Sequence, residues 1–522
     1  MEHPAHRGRT PTRRKAPPPS RHSPAPLLPF AGEPLHRGLL PGKGRILVAS
    51  NRLPVVARRN GGSGWSVEPA SGGLVTALGP MMRKRAGVWL GWPGTSEMGQ
   101  EEMERALSTL PGRPAAELRV LEMEGELHRR FYEGFSNQLL WPVLHGLGFL
   151  STSEPGDWES YQEVNRRFAR ALADLAREGD LIWIQDYHLM LVAQELRELG
   201  VENDIAFFLH TPFPRLPEWK AVPQYRELIR SLLRYDVVGF QTLRDEANFM
   251  EVLVAMGLRI GEAEPGNDRP GGRGCSTGSF PISIDFQEFY EEARSEEVRQ
   301  RGDHLRRELG ERQLLLGVDR LDYTKGLPQK LGGFDRALHR FPELRGRVVL
   351  RQLVVPSRTG IPAYADTKAE IEELVRRINA EWGSEDWTPV EYRYGRWDRK
   401  ELLAHYRIAD VALVTPLTDG MNLVAKEYCV ANQGSGVLIL SAFAGAAGTL
   451  GHSALLVHPR SPEGVAHAIQ QACAMPTAER SARMQTARQS IRKADIHGWA
   501  KSFLSAGNGP APHPPLPGHG AS

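Results

Sequence analysis

From Gly44 onward, short apolar runs alternate with longer stretches in which apolar residues recur every three or four positions. The runs predict strands over 45–50, 88–92, 181–185, 205–210 and 237–240, then over 314–318, 348–355, 411–415, 436–441 and 454–458. They are nearly continuous in apolar residues, the pattern of strands buried on both faces of a parallel sheet. Between them, Trp158, Tyr161, Val164, Phe168, Leu172 and Leu175 fall at steps of three and four. That spacing predicts a helix over 157–178, with Asp157 as N-cap and Gly179 as stop signal. The alternation pauses over 259–280, where Gly, Pro and Ser predict a loop, and resumes after Arg312. Strands alternating with helices on both sides of the pause predict an α/β chain of two doubly wound domains that meet near Pro281. Ligands of such folds bind beyond the carboxyl ends of the strands, so chemistry is sought just after each one.

The chain is 522 residues long, which at about 150 residues per domain leaves room for two large domains and tails. Residues 1–43 are rich in Pro and Arg without periodicity and are expected to form a disordered basic arm; 507–522 are expected to be a flexible tail. The span 432–459 holds no Asp, Glu, Lys or Arg, which is long enough for a membrane span by count. Gly, Ser and His452 divide it, however, so a buried strand-helix-strand unit is expected and the chain is read as soluble. Lys plus Arg number 65 against 62 Asp plus Glu, a net charge of +3 that excludes binding to nucleic acid through bulk charge. Three scattered cysteines, Cys275, Cys429 and Cys473, make neither a disulfide framework nor a zinc cluster, which points to a reducing compartment.

The first strand ends in Ser50-Asn51-Arg52, and Ser71-Gly72-Gly73-Leu74 opens a helix where backbone N–H groups approach a phosphate or sugar, or simply form a tight turn. Asp186 and His210 follow neighbouring strands, placed to bond sugar hydroxyls or move a proton; a His in that position is as often a cap or a core polar group. Arg320 and Lys325 lie five apart across one turn, two cations suited to a diphosphate, with a salt-bridged turn involving Asp319 and Asp322 as the alternative. Asp419 lies in a loop and Glu427 about two turns into the next helix, so one carboxylate reaches a sugar and the other a ribose, unless they are a cap and a solvated helix residue. The chain has no Gly-x-x-x-x-Gly-Lys-Ser/Thr loop, no His-Glu-x-x-His and no Asp-x-Asp. Cationic side chains, rather than a chelated metal, would then stabilise a leaving phosphate.

Eight segments in order, Ser50-Asn51-Arg52-Leu53-Pro54, Ser71-Gly72-Gly73-Leu74, Phe135-Ser136-Asn137, Leu140-Trp141-Pro142, Asp186-Tyr187-His188-Leu189, Phe208 to Pro214, Arg320 to Gly326 and Asp419 to Tyr428, resemble the motifs of the trehalose-6-phosphate synthases. These are retaining glycosyltransferases of the GT-B fold, two Rossmann-like domains facing across a cleft. The resemblance runs from about Arg45 to about Phe503. It implies an acceptor domain over 44–281, a nucleotide-sugar domain over 282–476, and C-terminal helices over 477–506 that pack back on the first.

The activity implied is transfer of glucose, with retention, from a nucleotide-glucose, commonly UDP-glucose, to glucose 6-phosphate. Carried over by position, Arg52, Tyr132 and Arg358 would hold the acceptor phosphate, Trp141 its ring and Asp186 its sugar, with Trp141 and Thr211 selecting the anomer. Gly72, Gly73, Arg320 and Lys325 would face the donor diphosphate, and His210 and Asp419 the transferred glucose. Trp397, Leu423, Val424, Ala425, Lys426 and Glu427 would hold the nucleoside, with Glu427 on the ribose. The catalytic set implied is Arg320, Lys325, Asp186, His210 and Asp419, with no cofactor, no metal, no nucleic acid and no membrane; a cytoplasmic homo-oligomer is expected. The family's usual mechanism is front-face substitution, in which the departing phosphate takes the proton of the attacking hydroxyl. Gln185 stands where many members have His, Trp397 where Phe is frequent, and 393–397 departs from several relatives, which leaves the donor base open. The chain lacks the Asp-x-Asp-x-Thr motif of the phosphatase to which some members are fused, so the product expected is the phosphorylated disaccharide. The rivals are a glucosylglycerol-phosphate synthase and a catalytically silent sugar-phosphate sensor.

Overall fold

A computed structural model describes residues 44–59, 64–70, 78–79, 82, 87–108, 116–260, 274–358, 360–432 and 434–506. The expectations for 1–43, for Gly72 and Gly73, and for 507–522 lie outside these residues. Strand β1 (Ile46–Arg52) runs into a small antiparallel hairpin of β2 (Val55–Arg59) and β3 (Trp65–Pro69). With β1, strands β4 (Gly87–Trp92), β5 (Glu117–Val120), β6 (Leu181–Gln185), β7 (Ile205–Phe208), β8 (Val237–Phe240) and β9 (Ser276–Ser279) build one parallel sheet in the order β5-β4-β1-β6-β7-β8-β9. A second parallel sheet joins β10 (Gln313–Arg320), β11 (Val348–Val355), β12 (Val390–Tyr394), β13 (Val411–Val414), β14 (Val437–Ser441) and β15 (Leu455–Val457) in the order β12-β11-β10-β13-β14-β15. Each sheet reverses its strand order once, between β1 and β6 and between β10 and β13, and the crevice at such a reversal is where doubly wound folds bind ligands.

Successive β1 residues serve opposite faces. Leu47 and Ala49 join one core with Ile182, Ile184, Phe207 and helix Asp157–Leu175, while Ile46 and Val48 join Trp183, Ala206 and Phe208 on the other. All four β1 residues are fully buried, so the run carries no polar alternation. Helix Ile496–Leu504 closes the second face: Trp499 and Phe503 stack on Trp183 at 5.5 and 5.2 Å, and the Trp499 indole donates to the Phe280 carbonyl at 3.0 Å. Helix Thr477–Lys493 instead stays with the second sheet, where Arg488 donates to the Cys429 carbonyl at 3.0 Å, so not all of 477–506 crosses back.

Several expectations are corrected. Asp157 is not a cap: Gly156, at φ +91°, holds that position, while the buried Asp157 carboxylate accepts from the Glu154 N–H at 2.8 Å. The helix stops at Leu175 rather than 178, because the Arg45 guanidinium takes the Leu175 carbonyl at 2.8 Å and Asp180 accepts from the Arg177 N–H at 3.0 Å. Strand β9 lies inside the expected loop over 259–280. The span 432–459 does carry strand, helix and strand, β14 and β15 being adjacent and parallel, and no helix among the described residues is long and apolar enough to cross a membrane.

Candidate active site

The first lobe contributes a ladder of rings. At the end of β4, Trp92 stacks on His128 at 3.6 Å, His128 on Tyr132 at 5.2 Å and Tyr132 on His188 at 5.8 Å, with interplanar angles of 23°, 21° and 12°. The Arg52 guanidinium sits 4.9 Å over Trp92, in space that only glycine at position 94 leaves open: a Cβ there would meet Arg52 Nη2 at 2.1 Å. Tyr132 lies on a helix over Arg129–Leu140 wound with i to i+5 hydrogen bonding, which ends with the Trp141 N–H on the Ser136 carbonyl. Such winding concentrates at functional sites, and nothing in the local periodicity announced it. Burial, with Arg52 adding to it, pushes His128 down to about 4, and burial with Arg358 nearby pushes His188 well below the ordinary imidazole range, so both rings are neutral at pH 7.

The two lobes meet at Asp322, a fully buried carboxylate at the end of the turn after β10. Its Oδ1 accepts from the Thr324 N–H at 3.0 Å, the Thr324 hydroxyl at 2.9 Å and, across the cleft, the Trp141 indole at 3.4 Å. Its Oδ2 lies 3.4 Å from Arg358 and 3.7 Å from Arg320. Burial pushes the Asp322 pKa up, but Arg358, Arg320 and Lys325 together outweigh it and hold the carboxylate below its usual range. Arg358 follows β11 in a left-handed conformation, φ +47°, of the kind non-glycine residues adopt only when over-determined by their surroundings. Its guanidinium lies 3.8 Å over the Trp141 ring, donates to Tyr364 at 2.6 Å and to Tyr187 of the first lobe at 3.2 Å, and Tyr187 in turn donates to Asn137 at 2.8 Å. Arg320, 46% exposed, stands 5.7 Å over the same Trp141 ring, so both of these second-lobe arginines face the first lobe.

The loop after β13 is closed by its own bonds. Lys325 donates to Asp419 Oδ2 at 2.5 Å, Asn422 to the same oxygen at 3.1 Å, and the Met421 N–H to Oδ1 at 3.1 Å. Burial raises the Asp419 pKa, yet Lys325 and these donors overcome it and hold the group ionised below its normal range. Gly420 touches the first lobe so closely that a Cβ would lie 2.2 Å from the His210 carbonyl. A cavity of 680 Å³ opens beside this contact, lined by Pro212 and Gln241 of the first lobe and by Asp419, Gly420 and Phe443 of the second. Farther out, the half-buried Trp397 stacks on His405 at 3.8 Å, and Glu427 accepts from Tyr406 at 3.1 Å. Leu423 and Val424 open helix Leu423–Ala431 beside them. Ala425 and Lys426 are buried, and the Lys426 ammonium donates to the Ile282 carbonyl at 2.6 Å rather than facing the cleft.

On the first lobe Asp186 adopts φ +71° and accepts from the His210 N–H at 3.2 Å; burial raises its pKa to about 6. Burial lowers His210 to about 3, which makes its ring neutral and unsuited to donating a proton at neutral pH. Thr211 follows directly, buried, with its hydroxyl unpartnered among the described residues. The structure thus gathers Arg52, Tyr132, Trp141, Asp186, His210, Thr211, Arg320, Lys325, Arg358 and Asp419 at the carboxyl ends of the two sheets; Gly72 and Gly73 lie outside the described residues. Sequence reasoning took Asp322 only as a salt-bridge partner and passed over Trp92, His128, Tyr187 and Tyr364. Asp322 stood within a recognised motif, whereas Trp92, His128 and Tyr364 carried no signal of their own.

Residues 44–508 match the profile of glycosyltransferase family 20. The chain is 40% identical over 474 residues to a bifunctional trehalose-6-phosphate synthase/phosphatase of Thermoproteus tenax; the match covers 88% of this chain and 63% of that protein, so the chain spans under two thirds of that relative. It is 38% identical to the UDP-forming alpha,alpha-trehalose-phosphate synthase 2 of Aspergillus niger, covering 89% of this chain and 97% of the relative. A crystal structure of a UDP-forming alpha,alpha-trehalose-phosphate synthase from Burkholderia xenovorans in complex with glucose-6-phosphate superposes with a TM-score of 0.79 at 35% identity, covering 89% of this chain and 100% of that one.

Proposed function

Given that the chain belongs to glycosyltransferase family 20, a GT-B family, we propose that it makes trehalose 6-phosphate by moving glucose, with retention, from UDP-glucose to glucose 6-phosphate. The observation that carries this reading is the convergence of Arg320 and Arg358 from the second lobe on one first-lobe residue, Trp141. Arg358, Arg52 and the Tyr132 phenol form a set of fixed donors for a dianionic phosphate, and Trp141 gives a sugar ring a flat apolar face. Asp186, once ionised, accepts from a sugar hydroxyl.

On the donor side Arg320 and Lys325 meet the charge that builds on a departing diphosphate, where preorganised donors contribute most. Asp419 is held by three donors and kept at low basicity, which disfavours it as a covalent nucleophile and supports proton uptake by the departing phosphate itself. Glu427 and Trp397 would hold the nucleoside. A cytoplasmic homo-oligomer completes the proposal, tested by light scattering and cell fractionation.

Release of UDP on mixing UDP-glucose with glucose 6-phosphate tests the reading directly. No release with any of UDP-, ADP- or GDP-glucose would leave the sensor reading in its place, and preference for glycerol 3-phosphate would leave the glucosylglycerol-phosphate reading.

A further inference from the structure

A chain of buried hydrogen bonds leads from the second lobe to His210. The Lys426 ammonium donates to the Ile282 carbonyl at 2.6 Å, and the N–H of the same Ile282 donates to Gln241 Oε1 at 3.0 Å. A backbone N–H only donates, so this bond fixes which end of the Gln241 amide is oxygen. Gln241 Nε2 therefore donates, and it lies 3.3 Å from His210 Nδ1; the other ring nitrogen, Nε2, lies 2.9 Å from Gln185 Oε1. Nδ1 must then be the acceptor and Nε2 must carry the proton. Lys426, Gln241, His210 and Gln185 are all at least nine-tenths buried, which shields every link from competing water.

We propose that Gln241 and Lys426 are positioning residues: Gln241 locks His210 as the Nε2–H tautomer, and Lys426, through Ile282, helps pin the ring to the interlobe segment. Both ring nitrogens are then engaged within the protein, and the His210 backbone is held between the Asp186 carboxylate and Gly420 of the opposite lobe. The effect on turnover rests on the synthase reading; the tautomer does not, because it is measured without substrate.

The test uses the full chain labelled with 15N-histidine. A long-range 1H–15N spectrum reads the His210 ring, assigned by the signal lost in His210→Gln, and the expected wild-type state is protonated at Nε2 only. Gln241→Glu keeps an acceptor for Ile282 but removes the donor facing Nδ1. It is expected to bring a proton to Nδ1 and to lower kcat about a hundredfold, the cost of misplacing a group by about 1 Å, with the KM for glucose 6-phosphate little changed. Lys426→Met is expected to leave the tautomer in place and lower kcat less. A wild-type ring protonated at Nδ1, or a Gln241→Glu variant with the proton moved and kcat unchanged, would overturn the proposal. The wild-type spectrum needs no variant, so a misfolded substitution does not blunt the test. A wild-type chain that shows the Nε2–H ring but transfers no glucose would instead count against the synthase reading alone.

Discussion

The two halves of the site are built differently. Around Asp419 the second lobe is self-sufficient: Lys325, Asn422 and the Met421 N–H all come from that lobe and close around one carboxylate. The first lobe instead stacks neutral rings, Trp92, His128, Tyr132 and His188, and leaves the Nε2 atoms of both imidazoles buried without a partner among the described residues. Its cations come partly from across the cleft, through Arg358 on Tyr187 and Trp141. On the proposed function, the difference teaches that the donor-facing charges are preorganised within one lobe, while the acceptor-facing set is complete only where the lobes meet. On that function, bringing the lobes together would couple acceptor binding to exclusion of water from the donor.

The comparison breaks most sharply at Lys325. Lys325→Ala leaves the buried Asp419 without its cation and should lower stability by about 3–5 kcal/mol, read as a shift in the urea midpoint; the pair Lys325→Met with Asp419→Asn should recover part of that stability but not turnover. Next comes Arg320→Ala, expected to raise the barrier by roughly 2.7–4 kcal/mol in kcat with an unchanged unfolding midpoint, because the guanidinium is half exposed and works on developing charge. Near-normal kcat would remove Arg320 from its role.

Arg358→Lys loses the fork that reaches Asp322, Tyr364 and Tyr187 together, so the KM for glucose 6-phosphate should rise by the equivalent of about 1.5–3 kcal/mol, with less change for UDP-glucose. Equal changes for both substrates would erase the contrast between the lobes. Asp186, raised to about 6, takes up a proton as pH falls through that value and stops accepting from the sugar, so kcat/KM for the acceptor should fall about tenfold per unit below it. The sign for stability is opposite: the cost of burying the ionised group is absent below the usual carboxylate range and grows as pH rises through about 6. Asp186→Asn should abolish that limb of the profile. Smallest of all, Trp397→Phe keeps a ring to stack on His405 and should move the KM for UDP-glucose by no more than about threefold.

Ten strands were legible because each is an apolar run, and most lie inside a sheet. Three unread ones, β5, β9 and β12, are sheet edges, with one neighbour each and partly exposed side chains such as those of Glu117, Ser276 and Arg393. An edge strand is not buried on both faces, so the signal that finds its neighbours fails there. The hairpin β2–β3 escaped for a similar reason, since Arg58, Arg59 and Glu68 are exposed. Position just after a predicted strand picked out Arg52, Asp186, Arg320, Lys325 and Asp419, because the carboxyl end of a parallel strand is a predictable place.

What the amino-acid order determined by itself is therefore the pair of doubly wound sheets and the identity of the charges at their ends, since both follow from local runs and from the residues that terminate them. Only the tertiary structure decided which of those charges share a partner. Asp322 as the meeting point of Trp141 and Arg358, and the tautomer of His210, depend on groups between 25 and 181 residues apart in the chain. Hydrogen bonding is set by distance in space, and no periodicity along a chain encodes it.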